Sequence, residues 1–298
     1  MRIFEALKNR NVLFGLAVLV GLIVGPGMAK LGWINIPVLV AVMTVAALEV
    51  RLGHFRGARA WARAAFAGVL LNLVATGLLV LAAGYLLFPA GDVRDGVVLA
   101  ALSPPGLGIV PFTVVMGGNV AYSTSAFVAG YVSAVFLAPL LAGLLIGEGT
   151  VTASDFFGVL WKLVAIPLAL GFLIRAFGLR DRVKPFYGTV VNWGFALMFA
   201  VLFGVNRGIF LHDPGKIAKL FLTFGLSVFV PALLIRHFLR RGTVPREDGI
   251  SILLTGTVKN SLFAAALGLS LIGPAAALPG TILTFVILAY LLVVERLT

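Results

Sequence analysis

Ten stretches of mostly apolar residues follow one another along this chain, at about 12–31, 36–50, 64–88, 95–116, 122–146, 155–177, 187–206, 216–236, 249–271 and 277–295. Each is near the ~20 residues that an α-helix needs to cross the hydrocarbon of a bilayer. Lipid offers no hydrogen bonds to the backbone, so such stretches must satisfy their own N–H and C=O groups as helices. Composition agrees: 61% of residues are hydrophobic and 11% are charged, against about 25% charged in soluble domains. The expectation is an all-α polytopic membrane protein of ten transmembrane helices.

The net charge of +12 is unevenly distributed. With the N-terminus inside, the inner segments hold Arg2, Lys8 and Arg10; Arg51, Arg56, Arg59 and Arg63; Arg175, Arg180, Arg182 and Lys184; Arg236, Arg240, Arg241 and Arg246; and Arg296. The outer segments hold only Lys30, Arg94, Arg207, Lys216 and Lys219. This asymmetry places both termini in the cytoplasm, in a cytoplasmic (cell) membrane. The partners of these arginines are then lipid phosphates of the bilayer, not nucleic acid. The basic leader MRIFEALKNR resembles the start of a signal peptide, but the apolar run after it is too long, so a retained first helix is expected. Cysteine is absent and the three histidines fall in loops or at helix ends. Neither a metal cluster nor a catalytic nucleophile–base pair is expected, so the chain is read as no enzyme and as needing no cofactor.

The two halves, 1–149 and 150–298, repeat one pattern: three long spans, a disrupted span and a final span. An odd number of spans per half makes the halves insert in opposite senses, as two inverted five-helix repeats. Span 4 is disrupted by SPPGLG (103–108) and span 9 by TGTVKN (255–260). Pro104 and Pro105 remove two backbone donors and clash with the preceding turn, while Gly106 lets another backbone approach. A broken helix exposes orphan carbonyls at the end of its first half and orphan N–H groups at the start of its second. Two breaks crossing at mid-membrane bring two negative and two positive helix ends together. The positive ends suit an anionic substrate, and the negative ends call for a cation.

Lys259 is the only charge within residues 250–271. A lysine at mid-bilayer depth costs about 2.5–3.5 kcal/mol on insertion scales and marks a site or a buried partner. Three roles are open to it: a fixed cation on the carbonyl ends, a group that gives up and regains a proton during transport, or a direct partner for a carboxylate substrate. Lys162, beside Trp161, lies close enough to a span end to snorkel. No acidic residue shares the depth of Lys259. The neutral polar candidates are Thr255, Thr257, Asn260 and Ser261 around it; Asn72 and Thr76 in span 3; Thr113 and Asn119 in span 4; Ser123 and Ser125 in span 5; and Asn192 in span 7. Asn72 and Asn260 stand out, because a buried carboxamide is costly without partners.

Residues 103–123, SPPGLGIVPFTVVMGGNVAYS, resemble the broken fourth helix and following turn of the bile acid:sodium symporter family. IPLALGFLIR (166–175), TVKNSLFAAAL (257–267) and PAAALP (274–279) resemble that family's sixth-, ninth- and tenth-helix segments, in order. The resemblance implies a panel domain of helices 1, 2, 6 and 7, a core domain of helices 3–5 and 8–10, and transport of organic anions, usually with sodium, between them. It also implies departures. Where sodium-coupled members carry ion ligands, this chain has Ile109 and Val110 in span 4, Ser123 and Phe127 in span 5, and Thr255 in span 9. At the second ion position it has Asn72, Thr255 and Lys259. Apolar side chains cannot coordinate a hard cation, and a lysine would repel one.

The reading is therefore a secondary transporter of a small organic anion, working by alternating access and independent of sodium. Lys259 stands in for the cation, either permanently or by cycling a proton. The alternative is a sodium-coupled symporter that draws on backbone carbonyls with Thr255, Thr257 and Asn119. A reading of another class is a non-transporting membrane sensor or partner subunit.

Overall fold

The computed structural model describes residues 10–49, 57–146 and 152–294. In chain order the α-helices are α1 (Arg10–Val24), α2 (Asn35–Glu49), α3 (Ala58–Val69), α4 (Gly77–Leu87), α5 (Asp92–Leu102), α6 (Ile109–Val115), α7 (Val120–Leu145) and α8 (Ala153–Ala176). They continue with α9 (Arg180–Val183), α10 (Tyr187–Val205), α11 (Arg207–His212), α12 (Pro214–Arg241), α13 (Arg246–Thr257), α14 (Ser261–Leu271) and α15 (Pro274–Val293). A 3-10 stretch, Gly25–Ile34, joins α1 to α2, and a π-helical stretch, Leu70–Thr76, joins α3 to α4.

Among the described residues, seven helical stretches are long and apolar enough to cross a membrane. Expected spans 1 and 2 fall within one of them, Val12–Leu48, because Gly25, Pro26 and Gly27 loosen the helix into 3-10 turns without ending it. The disrupted spans qualify as none, since each is cut into two short helices, α5 with α6 and α13 with α14. Large apolar side chains face outward, with Leu86 83% and Ile23 75% exposed. Such a surface needs an apolar solvent, so the chain is a multi-pass membrane protein. Trp161 and Lys162 are also exposed, as snorkelling requires.

Packing places the two broken spans in the most buried part of the molecule. Residues 95–106 of span 4 are buried throughout, and so are 249–268 of span 9 apart from the half-buried Ile252. Helices α5, α14 and α15 lie against one another, with α12 and α13 beside them, while α10 lies along α1 and α2 along α8. The close approach depends on residues without side chains. A Cβ at Gly96 of α5 or Gly268 of α14 would overlap the carbonyl oxygen of Ala276 in α15. This is the small-residue packing that replaces hydrophobic driving force between helices in lipid.

The starts of α7, α12 and α14 are each capped by a short polar side chain. Asn119 accepts from Tyr122 N–H at 3.0 Å to start α7, and Asn260 accepts from Phe263 N–H at 3.1 Å to start α14. Asp213 does the same for α12, accepting from Lys216 N–H at 2.9 Å. The Lys216 ammonium, 2.7 Å away, and after it that backbone bond hold the Asp213 carboxyl below its ordinary range.

Candidate functional site

The two breaks cross and pair with each other. Pro105 and Lys259 form an antiparallel bridge, in which Gly106 N–H donates to the Val258 carbonyl at 2.9 Å and Asn260 N–H to the Pro104 carbonyl at 2.8 Å. Each break thus satisfies backbone groups that its own helix can no longer serve. Glycine is required at 106, where a Cβ would sit 2.7 Å from Val258 Cγ1 and 3.0 Å from the Lys259 carbonyl oxygen. The Pro105 ring lies on α7 at Gly130, where a Cβ would overlap it. Pro104, Pro105 and Gly106 therefore act together with Lys259 and Asn260 as one structural unit.

The carbonyl ends are served by span 3 and by Lys259. Asn72 Nδ2 donates to the carbonyls of Thr255 at 2.9 Å and Val258 at 3.1 Å, and Thr76 Oγ1 to that of Gly256 at 2.7 Å. These three carbonyls are the loose end of α13. At the loose end of α5, the Ser103 carbonyl accepts from Lys259 Nζ at 3.1 Å. The same ammonium donates to the Asn72 carbonyl at 3.1 Å and to Asn72 Oδ1 at 3.2 Å. All three ammonium donors are thereby used. Lys259 is 2% exposed, and its charge is met by oxygen dipoles and a helix C-terminus. The π-helical turn is what aims Asn72 at both helix ends, in keeping with the use of such turns at functional sites.

The positive ends border a cavity of about 450 Å³. Gly106, Gly108, Asn260 and Ser261 form the wall where α6 and α14 begin, and Phe14, Val45, Asn192 and Phe199 face them from α1, α2 and α10. The lining extends to Tyr187, just after Arg180, Arg182 and Lys184, so the cavity lies on the side of that arginine-rich segment. From the cavity wall a series of aromatic rings runs toward the other side. Phe14 meets Phe199 at 5.2 Å, Phe199 meets Phe285 at 6.0 Å, Phe285 meets Phe203 at 5.3 Å and Phe203 meets Phe210 at 4.4 Å. Lys259 lines the cavity, but its ammonium is turned to Asn72 and Ser103, neither of which does.

The remaining candidates are not gathered at the crossing. Thr255 and Thr257 hydroxyls donate back to Ser251 and Leu253 carbonyls of their own helix, both at 2.7 Å. Thr113 and Ser123 share a hydrogen bond of 2.8 Å between α6 and α7. Asn119 lies at the opposite end of α13 from Lys259, donating to Asp248 Oδ1 at 2.7 Å. Sequence reasoning missed Ser103, which acts through its backbone carbonyl, and Tyr131, whose hydroxyl accepts from Asn260 Nδ2 at 2.6 Å. A tyrosine in the middle of span 5 was the signal for the second; nothing marked the first.

A sodium ion does not fit these side chains. Ile109, Val110 and Phe127 are buried apolar residues, 0%, 8% and 9% exposed. The Thr255 carbonyl is taken by Asn72, and the Thr255, Thr257 and Asn119 side chains point elsewhere. A hard cation needs several convergent oxygens, and the cluster that does converge already holds an ammonium.

Residues 36–213 match the sequence model of the Sodium Bile acid symporter family. No curated protein matches the chain.

Proposed function

The chain belongs to the sodium bile acid symporter family, and from that premise we propose that it is a sodium-independent secondary transporter of a small organic anion, working by alternating access. Ten transmembrane helices in two inverted repeats make it up, panel helices 1, 2, 6 and 7 against core helices 3–5 and 8–10, with both termini in the cytoplasm. The substrate anion sits in the cavity against the first turns of α6 and α14, where backbone N–H groups and helix dipoles favour negative charge. Its apolar body lies among Phe14, Val45 and Phe199.

The observation that carries this reading is the Lys259 ammonium within 3.1–3.2 Å of three oxygens at the crossing of the broken helices. It supplies covalently the positive charge that the carbonyl ends need. With its donors already used inside the protein, it acts as a fixed cation, and the positive wall facing the substrate is made by helix ends. The test is uptake of candidate carboxylates into proteoliposomes, with and without sodium and pH gradients. Wild-type uptake is expected to be the same in sodium and in potassium, and sodium is expected to leave the melting temperature unchanged. A requirement for sodium would refute the coupling assignment. Acceleration by an inward proton gradient, lost in Lys259→Gln, would show that the lysine cycles a proton.

The cavity and the aromatic stack support an inward-open state, sealed toward the outside by Phe199, Phe203, Phe210 and Phe285. Because the chain has no cysteine, Val191→Cys in the cavity wall is a clean reporter. It is expected to react with a membrane-impermeant maleimide from the cytoplasmic side alone. Adding Phe285→Ala, which removes the ring linking Phe199 to Phe203, is expected to admit the reagent from outside. Equal labelling from both sides in the single variant would contradict the inward-open assignment.

A further inference from the structure

A second cavity, of about 540 Å³, is walled by the starts of α3, α7 and α13 and by the segment that joins α12 to α13. It is at the end of α13 remote from Lys259, between Arg59 and Arg63 on one side and Arg240, Arg241 and Arg246 on the other. Its volume is within the roughly 300–1,000 Å³ of small-ligand sites. Trp61 and Arg63 line it from α3, Tyr122 from α7 and Asp248 from α13. One Asp248 oxygen accepts from Asn119 Nδ2 at 2.7 Å. The other oxygen makes no hydrogen bond or ion pair with a described residue, and neither does the Arg63 guanidinium.

Two opposite charges thus line one cavity without closing on each other. Asp248 is held to its own wall by the start of α7. Besides the Asn119 side chain, Asn119 N–H donates to the Glu247 carbonyl at 2.9 Å, and Ser251 Oγ donates to the Asn119 carbonyl at 2.9 Å. The cavity also adjoins the lipid face. On α3, Ala60, Arg63, Ala64 and Ala67 line it, while Arg63, Phe66 and Leu70 form the next stripe at helical spacing. Phe66 is 70% and Leu70 43% exposed, so Arg63 belongs both to the polar cavity and to the surface that lipid covers. A molecule whose polar end fills the cavity has an apolar surface beside it for its tail.

We propose that this cavity binds the headgroup of an ethanolamine phospholipid, with the phosphate on Arg63, the ammonium on Asp248 beside Trp61 and Tyr122, and the acyl chains on Phe66 and Leu70. A guanidinium takes phosphate oxygens through charge-assisted hydrogen bonds. A primary ammonium brings three donors to the carboxylate. Choline, trimethylated, brings none, and a glycerol headgroup brings no cation to Asp248. The site is separate from the cavity at the crossing and does not depend on what that cavity carries. Because Asn119 ties Asp248 to the start of α7, a bound lipid braces the end of span 9 that leads to the break.

The experiment titrates the purified full chain in detergent with dioleoyl phosphatidylethanolamine, phosphatidylcholine and phosphatidylglycerol, reading bound lipid by native mass spectrometry. The ethanolamine lipid is expected to bind wild type about tenfold tighter than either of the others, the ratio for one charge-assisted hydrogen bond. Asp248→Asn keeps an acceptor for Asn119 and loses the charge, and the preference is expected to fall to about one. Arg63 is exposed, so Arg63→Gln is expected to fold as wild type does and to bind all three lipids about three- to tenfold more weakly. Equal binding of the three lipids by wild type, or a preference that survives both substitutions, overturns the proposal. Displacement of the lipid by glycerophosphoethanolamine, the same headgroup without chains, at equal concentration also overturns it, because the cavity would then be a site for a soluble phosphoamine.

Discussion

Lys259→Met is expected to abolish uptake and to destabilise the protein by about 1–3 kcal/mol. Methionine keeps much of the volume of the side chain and none of its donors. The Ser103 carbonyl, the Asn72 carbonyl and Asn72 Oδ1 would all lose the ammonium, and each buried acceptor left unpaired costs roughly 1–3 kcal/mol. The Asn72 carbonyl loses least, because it also accepts from Gly77 N–H in the π-helical turn. A buried charge that itself cost about 2.5–3.5 kcal/mol disappears in exchange, so the net destabilisation is smaller than the acceptors alone would give. Function suffers more than stability. Without the cation, the loose ends of α5 and α13 gather partial negative charge beside the place where an anion must sit. The measurement pairs a thermal melt with proteoliposome uptake. Wild-type uptake with an unchanged melt would show that the ammonium has no part in the site.

Gly268→Val is expected to cost about 1–3 kcal/mol or more, because the overlap is backbone on backbone. A Cβ at 268 would run into the carbonyl of Ala276, with Ala276 C at 2.6 Å and Ala277 N at 2.9 Å. None of these atoms can rotate away, so α14 must separate from α15. That separation reaches the crossing, since Thr284 of α15 holds Ser261 at the first turn of α14. Uptake should therefore fall with the melting temperature. Gly225→Val in α12 is the control: a Cβ there meets nothing within 4 Å, and the change is expected to stay within about 0.5 kcal/mol. Equal melts for the two variants would mean that the tight packing of α14 on α15 is not what holds the second half of span 9.

The crossing was legible in residues 103–108 and 255–260 because proline and glycine act locally. Pro104 and Pro105 forbid a continuous helix whatever surrounds them. A lysine in lipid was equally plain, because its desolvation cost is independent of fold. The shorter first helix was not legible, since Gly25–Ile34 keeps helical turns of a tighter kind and preserves the apolar pattern. Nor were the true partners of Thr255 and Thr257. Both are polar residues beside a break, and both turned back on their own helix, the bond always open to a threonine within a helix. Asn119 was placed with the crossing on its residue type, yet it caps α7 at the far end of α13.

Local chemistry could be read along the chain: apolar stretches that must be helical in lipid, arginines gathered in the segments between them, and two points where a helix cannot continue. These depend on each residue's own backbone and its exchange with lipid or water. Which break meets which carbonyl is a matter of packing across some 180 residues, as in the bond from Thr76 to Gly256. So is the direction of the Lys259 ammonium, away from the cavity and onto Asn72. A side chain's type sets what it needs, but its partners come from other helices, and their positions are fixed by close packing around Ala276, Gly130 and the π-helical turn.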